Sequence, residues 1–146
     1  MGREIYAELH HDGTTVLAVN LSWKALRDQA LQEAPEGSLL LHQDFTRACC
    51  EDFTAVSLGL ARRAGVDSAL HLTAAIATST GSAPLTPVVS ELGGAFMSVP
   101  DHARRPHRIQ PDTTSLSPPG GHTALHEAAQ DLFTDLMNQF GLDPQL

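Results

Sequence analysis

Residues 44–65, DFTRACCEDFTAVSLGLARRAG, decide how the rest of the chain is read. Phe45, Cys49, Phe53, Val56, Leu60 and Ala64 follow one another at intervals of four, four, three, four and four, the spacing that keeps apolar side chains on one helical face. The ends agree with the period. Asp44, Glu51 and Asp52 lie toward the N-terminal half, Arg62 and Arg63 fall in the last turn where cations suit the helix dipole, and Gly65 stands just past the end. The spacing predicts a helix over 44–64.

Upstream, Glu4 to Leu9 and Thr15 to Leu21 flank Asp12-Gly13, a dipeptide favoured in two-residue type I′ turns. Such a turn pairs Leu9 with Val16, Ala7 with Ala18 and Tyr6 with Val19. The second strand is apolar on both faces and so suits an inner position under helices, while Glu4, Glu8 and His10 make the first more edge-like. Ser22 is a good N-cap for a short helix from Trp23 to about Ala34, which Pro35-Glu36-Gly37 stops; Leu39-Leu40-Leu41 is then briefly extended.

Downstream, Leu70 to Thr78 reads as a third strand. Between Leu85 and Leu116 strand pieces at Val88-Val89, Phe96 to Val99 and Arg108 to Leu116 are interrupted by Gly93-Gly94, Pro100, Pro106 and Pro111, which fits an irregular sheet edge or a long surface loop. Ser117-Pro118-Pro119-Gly120-Gly121 breaks the chain before a last helix over 122–140, closed by Gly141. The expected fold is α+β, with a small mixed or antiparallel sheet and helices packed on one face, in a single domain over 1–146. Its core should hold Phe53, Leu60, Leu132, Leu136 and Val19.

Composition limits function. With 42% hydrophobic and 18% charged residues the chain is too apolar to be disordered, and 17 acidic against 9 basic side chains give a net charge of -8 that repels polyanions. Eight of the nine basic residues are Arg and only Lys24 is Lys, a bias of GC-rich codons rather than of chemistry. No apolar run approaches the roughly eighteen residues of a membrane span, and the N-terminus has no apolar leader, so a cytoplasmic protein is expected. The adjacent Cys49 and Cys50 offer neither a disulfide framework nor a CxxC motif. No GxGxxG, P-loop or GxSxG signature is present, and no cofactor is expected.

Five features remain as candidate sites. His122 and His126, four apart on a helix, have the spacing of a metal-ligand pair, but they fall in the apolar half of the wheel with Ala129, Phe133, Leu136 and Phe140. They read better as half-buried packing residues. His10-His11-Asp12 reads as a solvated hairpin tip, and His71 as a strand-surface histidine opposite Leu70 and Leu72. Cys49 lies on the apolar stripe and Cys50 about a hundred degrees away from it, with Glu51 and Asp52 opposing thiolate formation; both read as small core residues. The segment 102–108, HARRPHR, concentrates Arg104, Arg105, Arg108 and His107 in an acidic chain and would contact an anionic partner such as a phosphate, a nucleic-acid backbone or an acidic protein surface. It lacks an aromatic residue for base stacking, and a solvated loop is the plainer alternative.

The hairpin strand with Asp12-Gly13 and Val16-Leu17-Ala18-Val19-Asn20, and the run Leu60-Ala61-Arg62-Arg63-Ala64-Gly65-Val66 before Leu70-His71-Leu72, resemble the C-terminal portion of actinobacterial multidomain proteins. The N-terminal part of those proteins is an AlbA-like, Schlafen-type DNA-binding or ATP-binding domain. The similarity covers about half of this chain, and the AlbA-like domain itself is missing from it, so no catalytic or nucleotide-binding residue carries over. The resemblance implies an accessory module. The expected function is therefore a non-enzymatic accessory or regulatory domain that acts through protein contacts in a DNA-associated or transcription-regulatory assembly. The rival expectation is a small-molecule or metal-binding domain, hydrolytic or not, built on His122, His126 and the segment 85–116.

Overall fold

The computed structural model describes residues 5–21, 37–78, 83–94 and 96–143. The helix expected over 23–34 lies outside them.

Two strands, β1 (Ile5–Leu9) and β2 (Thr15–Val19), form an antiparallel ribbon. Its loop contains three residues rather than two: His10 N–H donates to Thr14 O at 2.8 Å, Gly13 N–H donates to His10 O at 3.0 Å, and Gly13 adopts a left-handed φ of 86°. That is the pattern of a hairpin closed by a glycine bulge. Asp12 Oδ1 accepts the Thr14 N–H at 2.8 Å and holds the turn. The extra loop residue moves the register by one from the two-residue expectation, so Leu9 faces Thr15, Ala7 faces Leu17 and Tyr6 faces Ala18. β2 is not an inner strand either, because among the described residues it pairs only with β1.

The next strand, β3 (Leu39–His42), passes directly into α1 (Gln43–Ala64), and β5 (Leu85–Glu91) returns parallel to β3. β6 (Phe96–Ser98) joins β5 antiparallel, giving a mixed sheet in the order β3-β5-β6. Pro87 is tolerated in this central strand for a directional reason. Leu85 N–H points away from β3, toward Pro106 O at 2.8 Å, and Pro87, two residues on, would aim its amide the same way. The β6 pairing begins only at Val89, so no ladder bond is lost. A third small sheet joins β4 (Leu70–Ala74) to β7 (Asp112–Leu116) antiparallel, and the chain continues through a 3₁₀ turn at Pro118–Gly120 into α2 (Gly121–Asn138). The segment 85–116 thus contributes three strands joined by irregular chain, its prolines lying mostly in the connection from β6 to β7. β4 is shorter than the nine residues read from sequence.

The architecture is α+β, with two helices and seven strands in three small sheets among the described residues. The two helices pack on one another, α2 also covers β7, and the core gathers Leu41, Leu58, Leu72, Leu85, Ile109, Leu116, Leu132, Phe133, Met137 and Phe140. Each such side chain removed from water contributes about 1.5–3 kcal/mol.

α1 has the expected span and its cap: Gly65 is left-handed at φ 67°, and Gly65 and Val66 N–H donate back to Arg62 O and Ala61 O. The face it buries is different. Thr46, Cys50, Thr54, Leu58 and Ala61 are buried, whereas Phe45, Cys49 and Phe53 are half-buried and Val56 and Leu60 are 45% and 36% exposed. The threonines can go inward because Thr46 Oγ1 donates to His42 O at 2.9 Å and Thr54 Oγ1 to Cys50 O at 2.6 Å, which satisfies each hydroxyl within the helix. Leu60 is therefore outside the core, Phe53 packs at its margin, and Val19 is half-buried away from it.

Candidate functional site

The basic segment lies where the sequence places it. Arg104, Arg105, His107 and Arg108 are exposed, and the backbone around them is pinned to the body. Arg104 N–H donates to Phe140 O at 2.7 Å, Ile109 is buried in the core, and Gln139 holds Gln110 through its Oε1 and Nε2 at 2.7 and 3.0 Å. The Arg104 stem runs over Gly141. Exposed cations on an anchored loop can meet an anionic surface at little ordering cost.

His122 and His126 are exposed in the first turns of α2, not half-buried over the core as expected. Ala128, Ala129, Leu132 and Phe133 turn inward instead. Among the described residues no group of three His, Cys, Asp or Glu side chains stands close enough to hold a metal ion. The tip residues His10, His11 and Asp12 are exposed, with His10 Nε2 3.6 Å from Glu8 Oε2. His71 is exposed on β4 while Leu72 is buried beside it. The cysteines exchange roles: Cys50 is buried and its thiol is pushed up to about 12 by desolvation, then by Cys49 and Glu51, whereas Cys49 is half-buried. A thiol held protonated is inert as a nucleophile.

Three features escaped the sequence reading. One is the exposure of the hairpin. All five residues of β1 are exposed, with Ile5 at 61%, Tyr6 at 57% and Leu9 at 66%, and β1 has no neighbour beyond β2 among the described residues. The register puts Ile5 and Leu9 on the same side of the ribbon as Leu17 and Val19. A second apolar tip stands where β5 turns into β6: Leu92 is 80% exposed at a positive φ of 49°, and Phe96 is 63% exposed.

Beneath the hairpin lies the second feature, a cleft of about 390 Å³ between β2, α1, β4 and α2. Leu17, Val19, Leu21, Phe53, Leu132 and Leu136 form its apolar walls, and Thr14, Thr15, Cys49, His71 and Thr73 bring polar groups to it.

No family model, curated protein or solved structure matches this chain. Its chemistry must be read from its own residues.

The third feature is a buried polar junction. His42 is 8% exposed; its Nδ1 accepts the Phe45 N–H at 3.2 Å and its Nε2 lies 3.1 Å from Ser90 Oγ. With Nδ1 occupied as an acceptor, the neutral ring carries its proton on Nε2 and donates it to Ser90. A general base for Ser90 would need a free lone pair on that nitrogen. The pair is a clasp between helix and sheet, not a nucleophile with its base.

Proposed function

We propose that this chain is a non-enzymatic accessory domain that works by protein contact, with the β1–β2 ribbon as its docking element, within a DNA-associated or transcription-regulatory assembly. The observation that carries the reading is β1, five consecutive exposed residues whose outer edge pairs with no other strand among the described residues, with apolar Ile5, Tyr6 and Leu9 in solvent. An uncovered strand edge is a template for another strand, and proteins that do not use such an edge blunt it. A partner strand added there would bring backbone hydrogen bonds, and Ile5 and Leu9 would select alternate apolar side chains. The net charge of -8 favours a partner of basic character at this edge. The DNA-associated part of the proposal rests on the anchored Arg104, Arg105 and Arg108 loop and on the resemblance of the hairpin and helix segments to accessory regions of AlbA-like proteins.

Photo-crosslinking tests it in cells. A benzophenone side chain in place of Tyr6 should give a discrete protein adduct that Ile5→Lys with Leu9→Lys abolishes, and the purified partner should bind the wild-type chain but not that double variant. Adducts no different from those formed at exposed Asp67, or undiminished in the double variant, would refute the docking role. An adduct with a second copy of the chain would make the ribbon a self-association edge instead.

A further inference from the structure

We infer that the cleft beneath the hairpin is a binding site for an uncharged, mainly apolar small molecule. The cleft holds about 390 Å³ between β2 and the helices and is partly open to solvent, so a ligand can reach it from outside. Its size lies within the range of small-molecule sites and suits a ligand of about 15–20 non-hydrogen atoms. Leu17 and Val19 form one wall, Phe53, Leu132 and Leu136 the facing one.

Charge narrows the class of ligand. In a chain with 26 Asp, Glu, Lys and Arg residues, none of the described residues lining the cleft is one of them. Among the described lining residues a carboxylate or phosphate would find no Lys or Arg to replace its water, and an ammonium no carboxylate. The polar lining is instead hydroxyl, thiol and imidazole, from Thr14, Thr15, Cys49 and His71, with Thr73 already paired to Thr113 Oγ1 at 3.2 Å, which suits one or two neutral hydrogen-bonding groups on the ligand. Thr46 adds little, because its hydroxyl already donates to His42 O at 2.9 Å. This inference is independent of the docking role of β1: it concerns the opposite strand of the ribbon and the body beneath it.

The test uses the full chain and N-phenyl-1-naphthylamine, an uncharged fluorescent probe. Titration should show saturable one-to-one enhancement. Leu17→Trp, which fills the cleft, should weaken binding at least about tenfold, a loss of about 1.4 kcal/mol. Ala55→Phe, on an exposed face of α1 away from the cleft, should bind as wild type does. Dodecanol should displace the probe at least about ten times more effectively than dodecanoate, because desolvating a carboxylate costs far more than desolvating a hydroxyl. Should Leu17→Trp fail to fold, Ala75→Trp at the exposed rim takes its place. Enhancement that does not saturate, equal binding by the folded filling variant, or equal displacement by the alcohol and the acid would each overturn the inference.

Discussion

His42 ends strand β3 and caps helix α1, and its ring also reaches Ser90 on the neighbouring parallel strand at 3.1 Å. One imidazole thus supplies an acceptor to the helix and a donor to the sheet. His42→Ala should lose the cap, about 1 kcal/mol, together with the buried bond to Ser90, for about 2–3 kcal/mol in all by chemical denaturation. His42→Asn keeps a capping oxygen and should recover about half of the loss. Nitrogen NMR should find the ring in the tautomer protonated at Nε2; a proton on Nδ1 would contradict the clasp.

The buried face of α1 predicts unequal costs for two leucines two positions apart. Leu58 is 4% exposed and Leu60 36%, so Leu58→Ala should destabilise by about 2–5 kcal/mol and Leu60→Ala by less than about 1 kcal/mol. Equal losses in urea unfolding would return the core to the stripe drawn through Phe45, Phe53 and Leu60.

Asp135 on α2 lies beside Asp112 at the start of β7. Desolvation, and then the Asp112 carboxylate, raise its pKa above the ordinary 3.8. A raised folded value means that the fold binds the proton more tightly than the unfolded chain does. The associated stability is complete below the ordinary carboxylate range and is lost as pH rises through the folded value. Asp135→Asn should therefore match wild type near pH 3 and melt higher at pH 7. Because Asp135 is largely exposed, the gain should stay below about 1 kcal/mol. A variant less stable than wild type at pH 7 would contradict the sign.

Replacing Arg105 and Arg108 with Glu should leave the melting temperature nearly unchanged, since both side chains are exposed. Association with nucleic acid or an acidic protein should weaken, and its salt dependence should flatten. Affinity unchanged from 50 to 300 mM salt, as roughly spans the screening range, would leave the loop without a binding role.

Leu92 combines 80% exposure with a φ of 49°. A left-handed leucine costs about 1–2 kcal/mol that Asn or Gly largely avoids, so Leu92→Asn should raise stability by about 1 kcal/mol in the same denaturation assay. No gain would show that the tip relaxes in solution.

The sequence reading succeeded where one signal dominated. The Arg62, Arg63 and Gly65 terminus of α1 and the Gly141 stop after α2 are local chemistry, and both stand as read. Periodicity mistook the buried face of α1, because Thr46 and Thr54 count as polar in any pattern but satisfy their own hydroxyls within the helix. Similarly, Asp12-Gly13 names a turn without deciding whether the glycine sits inside a two-residue loop or closes a three-residue one. The hydrogen bond from His10 to Thr14 makes that choice, and all the strand pairing follows from it. Pairing partners such as Ser90 for His42, or Ser115 for His71, join residues more than forty positions apart and leave no trace in local composition. The same holds for the cleft, whose walls come from four elements.

The direct passage from His42 into Gln43 leaves strand and helix phase-locked. One residue inserted at that joint would rotate everything after it by about 100° and carry Leu58 out of the core while carrying the exposed face in. Length variation among descendants of this gene should therefore be absent at the joint and should collect instead in the connection from β6 to β7, whose proline-rich course is fixed at Arg104, Pro106 and Gln110 and can lengthen between those anchors. The spacing at His42 should therefore be constrained as strictly as any side chain, though no single residue type there would reveal it.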